Sequence, residues 1–411
     1  MLNRSTFRLV LLVSLAHALV HIFEHSFACV EQLVVSDELF EIASEMRRQT
    51  SGQLGSTLRL PFGLCAMLAG WLADRYGSKR LLMIYLVGGS VAALLACWSP
   101  TLGAMYASMF VLGMFASIYH PAGVSLITHH TTPENRSLAL GYHGILGAAG
   151  TAAGPFLAGA VLATGTTWRQ YYLALTVPGI LLALILRSML SDEDGTVRHE
   201  PNGDAQPHPE DDTHWGAYVT LLFVTSLAGI VYAGILNFLP RYLDQTGLDF
   251  GVPKASLRNY LTGSVLALGA IGQYAAGKMA RPSTLEALMA GSFLATAPFV
   301  FWMGVAQGPV RLWAAGGFAA LFFMHQPLFN SLVAKYVPRR RRSLCFGLSF
   351  SIGFGVGSIG PTVSGLAKND LMNFAVLGTL LTIAATLCLG LWWRYGDRQE
   401  GKKAVTIQPV K

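Results

Sequence analysis

Long apolar runs alternate with short polar breaks along almost the whole chain. Spanning the ~30 Å of hydrocarbon in a bilayer takes about 20 apolar residues in a helix, and these runs have the required length. Continuous runs favour helices, because a membrane barrel shows short segments of alternating polarity. The pattern predicts twelve membrane-spanning helices, at residues 6–29, 50–73, 81–98, 102–127, 136–164, 168–190, 215–240, 257–278, 284–304, 309–335, 343–366 and 371–394.

The longest polar stretch lies near the middle of the chain, at residues 191–214. It is rich in acidic residues and proline, and it carries too few apolar side chains to bury a core, so we expect a flexible linker. This linker divides the chain into an amino-terminal six-helix bundle, residues 1–190, and a carboxyl-terminal six-helix bundle with a short tail, residues 215–411.

The two predicted bundles repeat one another at an offset of 206 residues. The offset aligns Pro121 with Pro327 and Arg136 with Arg342. It also aligns a set of small residues and prolines in the fifth span, Gly141, Gly147, Gly154, Pro155 and Gly159, with Gly347, Gly353, Gly360, Pro361 and Gly365 in the eleventh. Chance rarely aligns so many of these residues at one offset, so we expect two copies of one unit, as in transporters that rock two repeats around a central site.

Composition agrees with a membrane protein. The chain is 53% hydrophobic and 12% charged, whereas a soluble globular chain carries about 25% charged residues. Backbone groups must pair internally in the bilayer core, so the predicted fold class is an all-α membrane protein. The five cysteines form no CxxC pair, and we expect small buried side chains rather than disulfides. Because no nucleophile–base pair, phosphate loop or HExxH motif is present, we expect neither an enzyme nor a cofactor.

Charge is distributed unevenly between the two sides of the predicted membrane. With the amino terminus inside, the inner side receives 20 lysines and arginines and the outer side receives 8. The positive-inside rule therefore predicts that both termini are cytoplasmic. The same distribution explains the net charge of +7 without nucleic acid as a partner.

The turn between the second and third spans reads Gly-Trp-Leu-Ala-Asp-Arg-Tyr-Gly-Ser-Lys-Arg at residues 70–80. Its residue pattern, its place after the second span and its predicted cytoplasmic side closely resemble the loop between helices 2 and 3 of the major facilitator superfamily of transporters. The resemblance implies a conformational latch in which the acid helps to hold the outward-facing state; an ordinary solvated turn is the alternative. The candidate latch residues are Gly70, Asp74, Arg75, Gly77, Lys79 and Arg80.

Small residues recur every three or four positions along the fifth span. Such a face lets two helices approach closely, and a proline within it frees a backbone carbonyl and can kink the helix. The pattern resembles the fifth-helix signature of proton-coupled antiporters in the superfamily, with plain close packing as the alternative. The candidate packing and gating residues are Gly150, Gly154, Pro155, Gly360 and Pro361.

Three short segments narrow the resemblance: Ser-Leu-Ala-His17 in the first span, His120-Pro121 in the fourth, and Gly154-Pro155 in the fifth. Together they look like the fosmidomycin-resistance-type branch of the superfamily. That branch implies drug export coupled to inward proton flow. Where the branch has an acid four residues after the first-span histidine, this chain has His21.

Four ionisable residues form a polar stripe in the first span, at His17, His21, Glu24 and His25. At 100° per residue they fall within an arc of about 100° on one side of the helix. Ionisable groups in a span usually face the bundle interior or a watery cavity. Three interpretations remain: a proton relay, a structural polar cluster, or a path for a divalent metal ion. Metal ligands would come from several helices, with His120, His143 and His325 as possible partners.

Arg59 lies about nine residues into the second span and needs a partner there. Pairing with Glu24 is one expectation and snorkelling to the outer surface is the alternative. Spans 1, 4, 7 and 10 line the cavity in the superfamily, which implies candidate substrate contacts in the second half; each is equally consistent with a helix-to-helix hydrogen bond. These candidates are Tyr232, Asn237, Gln273, Gln326 and Asn330.

Together these patterns predict a twelve-helix secondary transporter of the inner membrane, built from two pseudo-symmetric six-helix bundles. We expect a monomer that works by alternating access and exports a small organic compound in exchange for protons. Its expected partners are the substrate, protons and the lipid bilayer. The alternative function is transport of a divalent metal ion or metal chelate through a histidine-lined cavity.

Overall fold

A computed structural model describes residues 3–189, 214–338 and 341–396. Within these ranges the chain forms α-helices, short 3₁₀ turns and no strand. The α-helices are α1 (Arg4–Val35), α2 (Arg47–Tyr76), α3 (Ser78–Cys97), α4 (Leu102–Ala116), α5 (Tyr119–His129), α6 (Pro133–Ala163), α7 (Trp168–Met189), α8 (Trp215–Leu243), α9 (Lys254–Met279), α10 (Leu285–Val305), α11 (Val310–Phe322), α12 (His325–Tyr336), α13 (Arg342–Gly357), α14 (Gly360–Leu366) and α15 (Asp370–Tyr395).

These helices confirm the predicted all-α membrane fold. In the described chain, 11 helical segments are long and apolar enough to cross a membrane. The remaining predicted span is α9, a helix of 26 residues whose polar side chains, Lys254, Arg258 and Lys278 among them, lower its mean hydropathy.

Three predicted spans are each built from two helices. The fourth span is α4 with α5, the tenth is α11 with α12, and the eleventh is α13 with α14. Each second helix carries a proline near its start, at Pro121, Pro327 and Pro361. A proline offers no N–H to the carbonyl four residues earlier and its ring collides with that carbonyl, so the helix is weakest there. In contrast, α6 runs uninterrupted through Pro155.

The internal repeat is visible in the backbone and in side-chain contacts. The break at Ser117–Ile118 and the break at Phe323–Met324 lie at equivalent positions of the two halves. The Arg136 guanidinium donates to the carbonyls of Thr128 and Thr131. Arg342 donates to the carbonyls of Ala334 and Val337, which stand at the same offset. Equivalent arginines therefore brace equivalent helix ends, as two copies of one unit should.

Each half encloses its own apolar core. One cluster of buried side chains runs from Leu9 to Leu186, and a second runs from Ala217 to Leu391 with Ala152 added from the first half. The predicted linker, apart from His214, and the last residues of the predicted tail lie outside the described residues. The division of the chain at 191–214 therefore stays a prediction.

The two halves touch along only part of their length. Helix α2 runs from one end of the molecule, the Arg48 end, to the other, the Asp74 end. From the Arg48 end to its middle it contacts the second half: Arg48 pairs with Asp370 at 3.4 Å, and the Ser56 and Thr362 hydroxyls lie 2.8 Å apart. Toward the Asp74 end, added Cβ atoms at Gly141 and Gly347 would meet nothing within 4 Å. Among the described residues, the hydrogen bonds and the ion pair that join α2 to the second half lie between Arg48 and Ser56.

Candidate functional site

The polar stripe of α1 faces the interior of the bundle. His17, Glu24 and His25 are buried, and the Glu24 side chain has no exposed surface. A continuous chain of hydrogen bonds follows the stripe. His17 Nδ1 lies 2.9 Å from the His143 carbonyl, His17 Nε2 lies 3.2 Å from His21 Nε2, and His21 Nδ1 lies 2.8 Å from Glu24 Oε2. The carbonyl, the two imidazoles and the carboxylate thus form one line.

Hydrogen-bond chemistry sets how many protons this line holds. Each of its three contacts needs one hydrogen atom, and the carbonyl and the carboxylate can only accept. Two neutral imidazoles supply two hydrogens, and an ionised Glu24 supplies none. All three contacts can therefore be hydrogen bonds at the same time only when the line carries one proton more than two neutral histidines and a carboxylate.

The expected pair between Arg59 and Glu24 is formed. Arg59 is only 2% exposed, and its Nη1 donates to Glu24 Oε1 at 2.5 Å, so the side chain does not snorkel to the surface. Its Nη2 lies 3.4 Å from His25 Nδ1, and its guanidinium stacks over the Tyr232 ring at 5.5 Å. The His25 Nε2 atom also lies 3.4 Å from the Tyr232 hydroxyl. Tyr232 belongs to α8, so this contact joins the polar stripe to the second half of the protein.

Tyr119 supports the stripe from α5, although sequence reasoning did not select it. Its hydroxyl donates to the Val13 carbonyl at 2.7 Å and therefore accepts from His143 Nε2 at 2.9 Å. This pairing places the His143 proton on Nε2. The His143 ring stacks on His17 with a centroid distance of 4.0 Å. The sequence offered one clue to this role, which is the position of Tyr119 next to His120-Pro121.

His120 completes a group of three histidines. Its ring lies 5.2 Å from that of His17 and 5.6 Å from that of His21, and it packs against Phe350 of the second half at 4.7 Å. The His120 Nε2 atom is buried and has no hydrogen-bond partner. His325 is not part of this group, because its Nδ1 donates to the Phe322 carbonyl and its ring packs on Phe293.

Within the part of the chain that the structure describes, two sets of side chains have ligand atoms close enough to hold a metal ion. The set His17, His21 and His120 and the set His21, Glu24 and His25 each keep these atoms within 4.8 Å of one another. The two sets share His21 but differ in their surroundings, since the second lies against the Arg59 guanidinium.

Among the candidate substrate contacts of the second half, Tyr232 is the one that reaches the polar stripe. Gln273 Nε2 donates to Gln326 Oε1 at 2.7 Å, which is a helix-to-helix bond between α9 and α12. Asn237 is buried with an unpartnered Nδ2, and Asn330 is exposed.

The candidate latch forms a tight turn between α2 and α3. Gly77 takes φ 90°, in the region that favours glycine, and connects the two helices. Asp74, Arg75 and Arg80 are exposed, whereas Lys79 is buried. Asp74 makes no hydrogen bond or ion pair with the described residues, and a latch role for this turn stays a prediction.

The predicted small-residue faces bring helices into close contact. A Cβ at Gly150 would collide with the Ala18 backbone of α1, and one at Gly360 would collide with the Ile230 carbonyl of α8. Gly154 has more room, with Ile22 at 3.5 Å. The carbonyl of Pro361 lies against Gly52 of α2 in the first half. The contacts of this conformation agree with close packing, and a coupling role stays a prediction.

Sequence reasoning missed the ion pairs that join the halves at the Arg48 end. Arg241 donates from Nε and Nη2 to the two carboxylate oxygens of Glu31, at 2.8 and 2.6 Å. Arg258 donates to Gln32 Oε1 at 2.6 Å. A signal was present, because Glu31 follows Glu24 by seven residues and so lies on the same face of α1.

Comparisons with known proteins cover both halves. A sequence model described as the Major Facilitator Superfamily matches residues 14–361. The fosmidomycin resistance protein of Escherichia coli (strain K12) is 22% identical over 379 residues, which cover 88% of this chain and 87% of that protein. The puromycin resistance protein pur8 of Streptomyces alboniger is 35% identical over 127 residues, which cover 31% of this chain and only 25% of that protein.

Solved structures share the fold. A bacterial homolog of the human lysosomal transporter Spinster, in an inward-facing and occupied conformation, superposes with a TM-score of 0.75 at 16% identity, over 96% of this chain and 98% of that one. The twelve spans, the internal repeat and the match over most of the chain agree. This protein belongs to the major facilitator superfamily, whose members are transporters and not enzymes.

Proposed function

We propose that this transporter exports a small organic compound across the inner membrane in exchange for protons, by alternating access. The observation that carries the proton coupling is the hydrogen-bonded line from the His143 carbonyl through His17 and His21 to Glu24. Its geometry has room for one additional proton in the interior of a membrane protein, where an ionisable group is costly and marks an ion or proton path.

The same contacts connect proton release with movement of the two halves. When the proton leaves, one of the three contacts no longer has a hydrogen atom; if this is the contact between His21 and Glu24, Arg59 remains as the partner of the carboxylate. Arg59 and His25 both contact Tyr232 of the second half. Because a ligand shifts a conformational equilibrium only through different contacts in the two states, Tyr232 is the side chain through which the second half senses the proton.

Export is supported by the names of two relatives, the fosmidomycin resistance protein and the puromycin resistance protein, because export is one way for a transporter to confer resistance. The excess of lysine and arginine in alternate loops supports cytoplasmic termini, and the Asp74 end would then be the cytoplasmic side.

Transport in everted proteoliposomes tests the proposal. With an acidic interior, the wild type should accumulate fosmidomycin or puromycin, and collapse of the pH gradient should stop uptake. Glu24→Gln and His21→Gln should each abolish gradient-driven uptake, because either change removes a member of the proton-holding line. His325→Gln replaces a partly buried histidine outside the line and should transport normally. Uptake that survives in both line variants would remove the coupling proposal.

The latch makes a separate prediction. Asp74→Asn should change stability by less than about 0.5 kcal/mol, since Asp74 is exposed and has no ionic partner among the described residues. Transport should nevertheless fall about fivefold or more, because the outward-facing state loses a contact worth about 1 kcal/mol. Thermal unfolding and initial uptake rates measure both quantities. Glu45→Gln, an exposed acid at the Arg48 end, should alter neither, and a normal rate for Asp74→Asn would show that the turn is merely solvated.

A further inference from the structure

We propose that His17, His21 and His120 bind one divalent transition-metal ion of the Zn²⁺ class. The three histidines come from α1 and α5, and their ligand atoms lie within 4.8 Å of one another. This site goes beyond the proposed proton coupling, because it rests on the arrangement of the nitrogen atoms and not on transport.

The spacing of the nitrogen atoms suits a tetrahedral ion. Zinc–nitrogen bonds of about 2.0–2.1 Å place two ligand atoms about 3.3 Å apart. His17 Nε2 and His21 Nε2 lie 3.2 Å apart and face each other. An ion between these two atoms needs only a small outward movement of the two rings.

Both of these histidines already have the outer partners that metal-binding histidines use. A ligating imidazole usually donates its other N–H to a carbonyl or a carboxylate, which orients the ring and fixes the tautomer. His17 Nδ1 donates to the His143 carbonyl, and His21 Nδ1 faces the Glu24 carboxylate. In each ring the Nε2 atom is therefore the one left for an ion.

His120 supports the metal site independently of the spacing between His17 and His21. Buried polar atoms almost always have a hydrogen-bond partner, yet His120 Nε2 is buried and has none. The ring stands edge-on to that of His17. A metal ion shared with the other two nitrogen atoms would satisfy it.

The alternative set, His21, Glu24 and His25, is a poorer site for a cation. Glu24 Oε1 already accepts from Arg59 at 2.5 Å, and Arg59 also reaches His25. A divalent ion there would lie beside a fixed positive charge, whereas Glu24 screens the first set from Arg59.

The donor set also defines the class of ion. Three neutral imidazoles suit Zn²⁺, Ni²⁺, Co²⁺ and Cu²⁺, while Mg²⁺ and Ca²⁺ prefer oxygen ligands. Three protein ligands leave a fourth position for water or for a donor atom of a chelating molecule.

Calorimetry with ZnCl₂ on the intact, detergent-purified protein tests the site. We expect one ion per chain. His120→Gln should weaken binding at least about tenfold, and Glu24→Gln should weaken it about 10- to 100-fold through His21. His25→Gln, the matched control from the alternative set, should bind as the wild type does. X-ray absorption should show three imidazole nitrogens at about 2.0 Å.

His120→Gln removes no hydrogen bond of Nε2, and the melting temperature of the metal-free variant shows whether the lost ring contact with Phe350 affects folding. Zn²⁺ should raise the melting temperature of the wild type and not that of His120→Gln. Absence of a Zn²⁺ isotherm, or an isotherm unchanged in His120→Gln, would overturn the metal site while leaving proton-driven uptake untouched. Zn²⁺ binding without any proton-driven uptake would instead remove the proposed function and leave the site.

Discussion

Arg59→Met should lower the free energy of unfolding by about 3–5 kcal/mol, because it leaves the carboxylate of Glu24 buried without its cation. Both side chains lie in the interior, at 3% and 0% exposure, and they are joined by a hydrogen bond of 2.5 Å. Moving an ionised carboxylate from water into the protein interior costs much free energy unless a group of opposite charge is its partner. Chemical or thermal unfolding of the purified protein in detergent measures the loss.

A double variant distinguishes the effect of breaking the Glu24–Arg59 ion pair from the effect of losing the packing of Arg59. Glu24→Gln/Arg59→Met removes both charges together and should recover most of the lost stability, since a buried pair contributes little when neither charge is left alone. Arg80→Met removes an exposed arginine of α3 and should change stability by less than about 0.5 kcal/mol. A double variant as unstable as Arg59→Met would mean that Arg59 acts through packing on Tyr232 and not through Glu24.

Gly63→Val should prevent the two halves from closing as they do in this structure. A Cβ at Gly63 would fall on the backbone of Phe354 and Gly355, where α2 crosses α13. Backbone cannot rotate aside as a side chain can, so the helices must separate. Overpacking costs about 1–3 kcal/mol, which lowers the population of this conformation about 5- to 150-fold. Transport should fall with it, because alternating access needs both states.

A cross-link between the halves measures this shift directly. The Ser56 and Thr362 hydroxyls lie 2.8 Å apart across the interface, so Ser56→Cys/Thr362→Cys in a background without the five native cysteines should form a disulfide in high yield. Gly63→Val should reduce that yield severalfold. Gly141→Val, where an added Cβ meets nothing within 4 Å, should leave it unchanged. Full cross-linking in Gly63→Val would show that α13 moves to accommodate the valine without lowering the population of this conformation.

The pattern of apolar and polar residues predicted the individual helices well and the candidate site only in part. The apolar runs located the spans to within a few residues, but they did not reveal that the fourth, tenth and eleventh spans break before Pro121, Pro327 and Pro361. Proline alone did not decide this, since α6 continues through Pro155. The 100° arc placed His17, His21 and Glu24 on one face, and the expected pairing of Arg59 with Glu24 is formed. Tyr119 and Glu31 escaped notice because their partners are distant in the chain.

The sequence by itself determined the class of this protein, its spans, its repeat and the helix that carries the ionisable groups. It could do so because a bilayer imposes apolar length on every segment independently, and because helical period converts spacing into a face. Only the tertiary structure decided which groups meet: the line through His17, His21 and Glu24, the unpartnered His120, and the ties from Glu31 and Arg59 to the second half. Those contacts depend on how helices cross, and crossing is set by packing between segments that are remote in sequence.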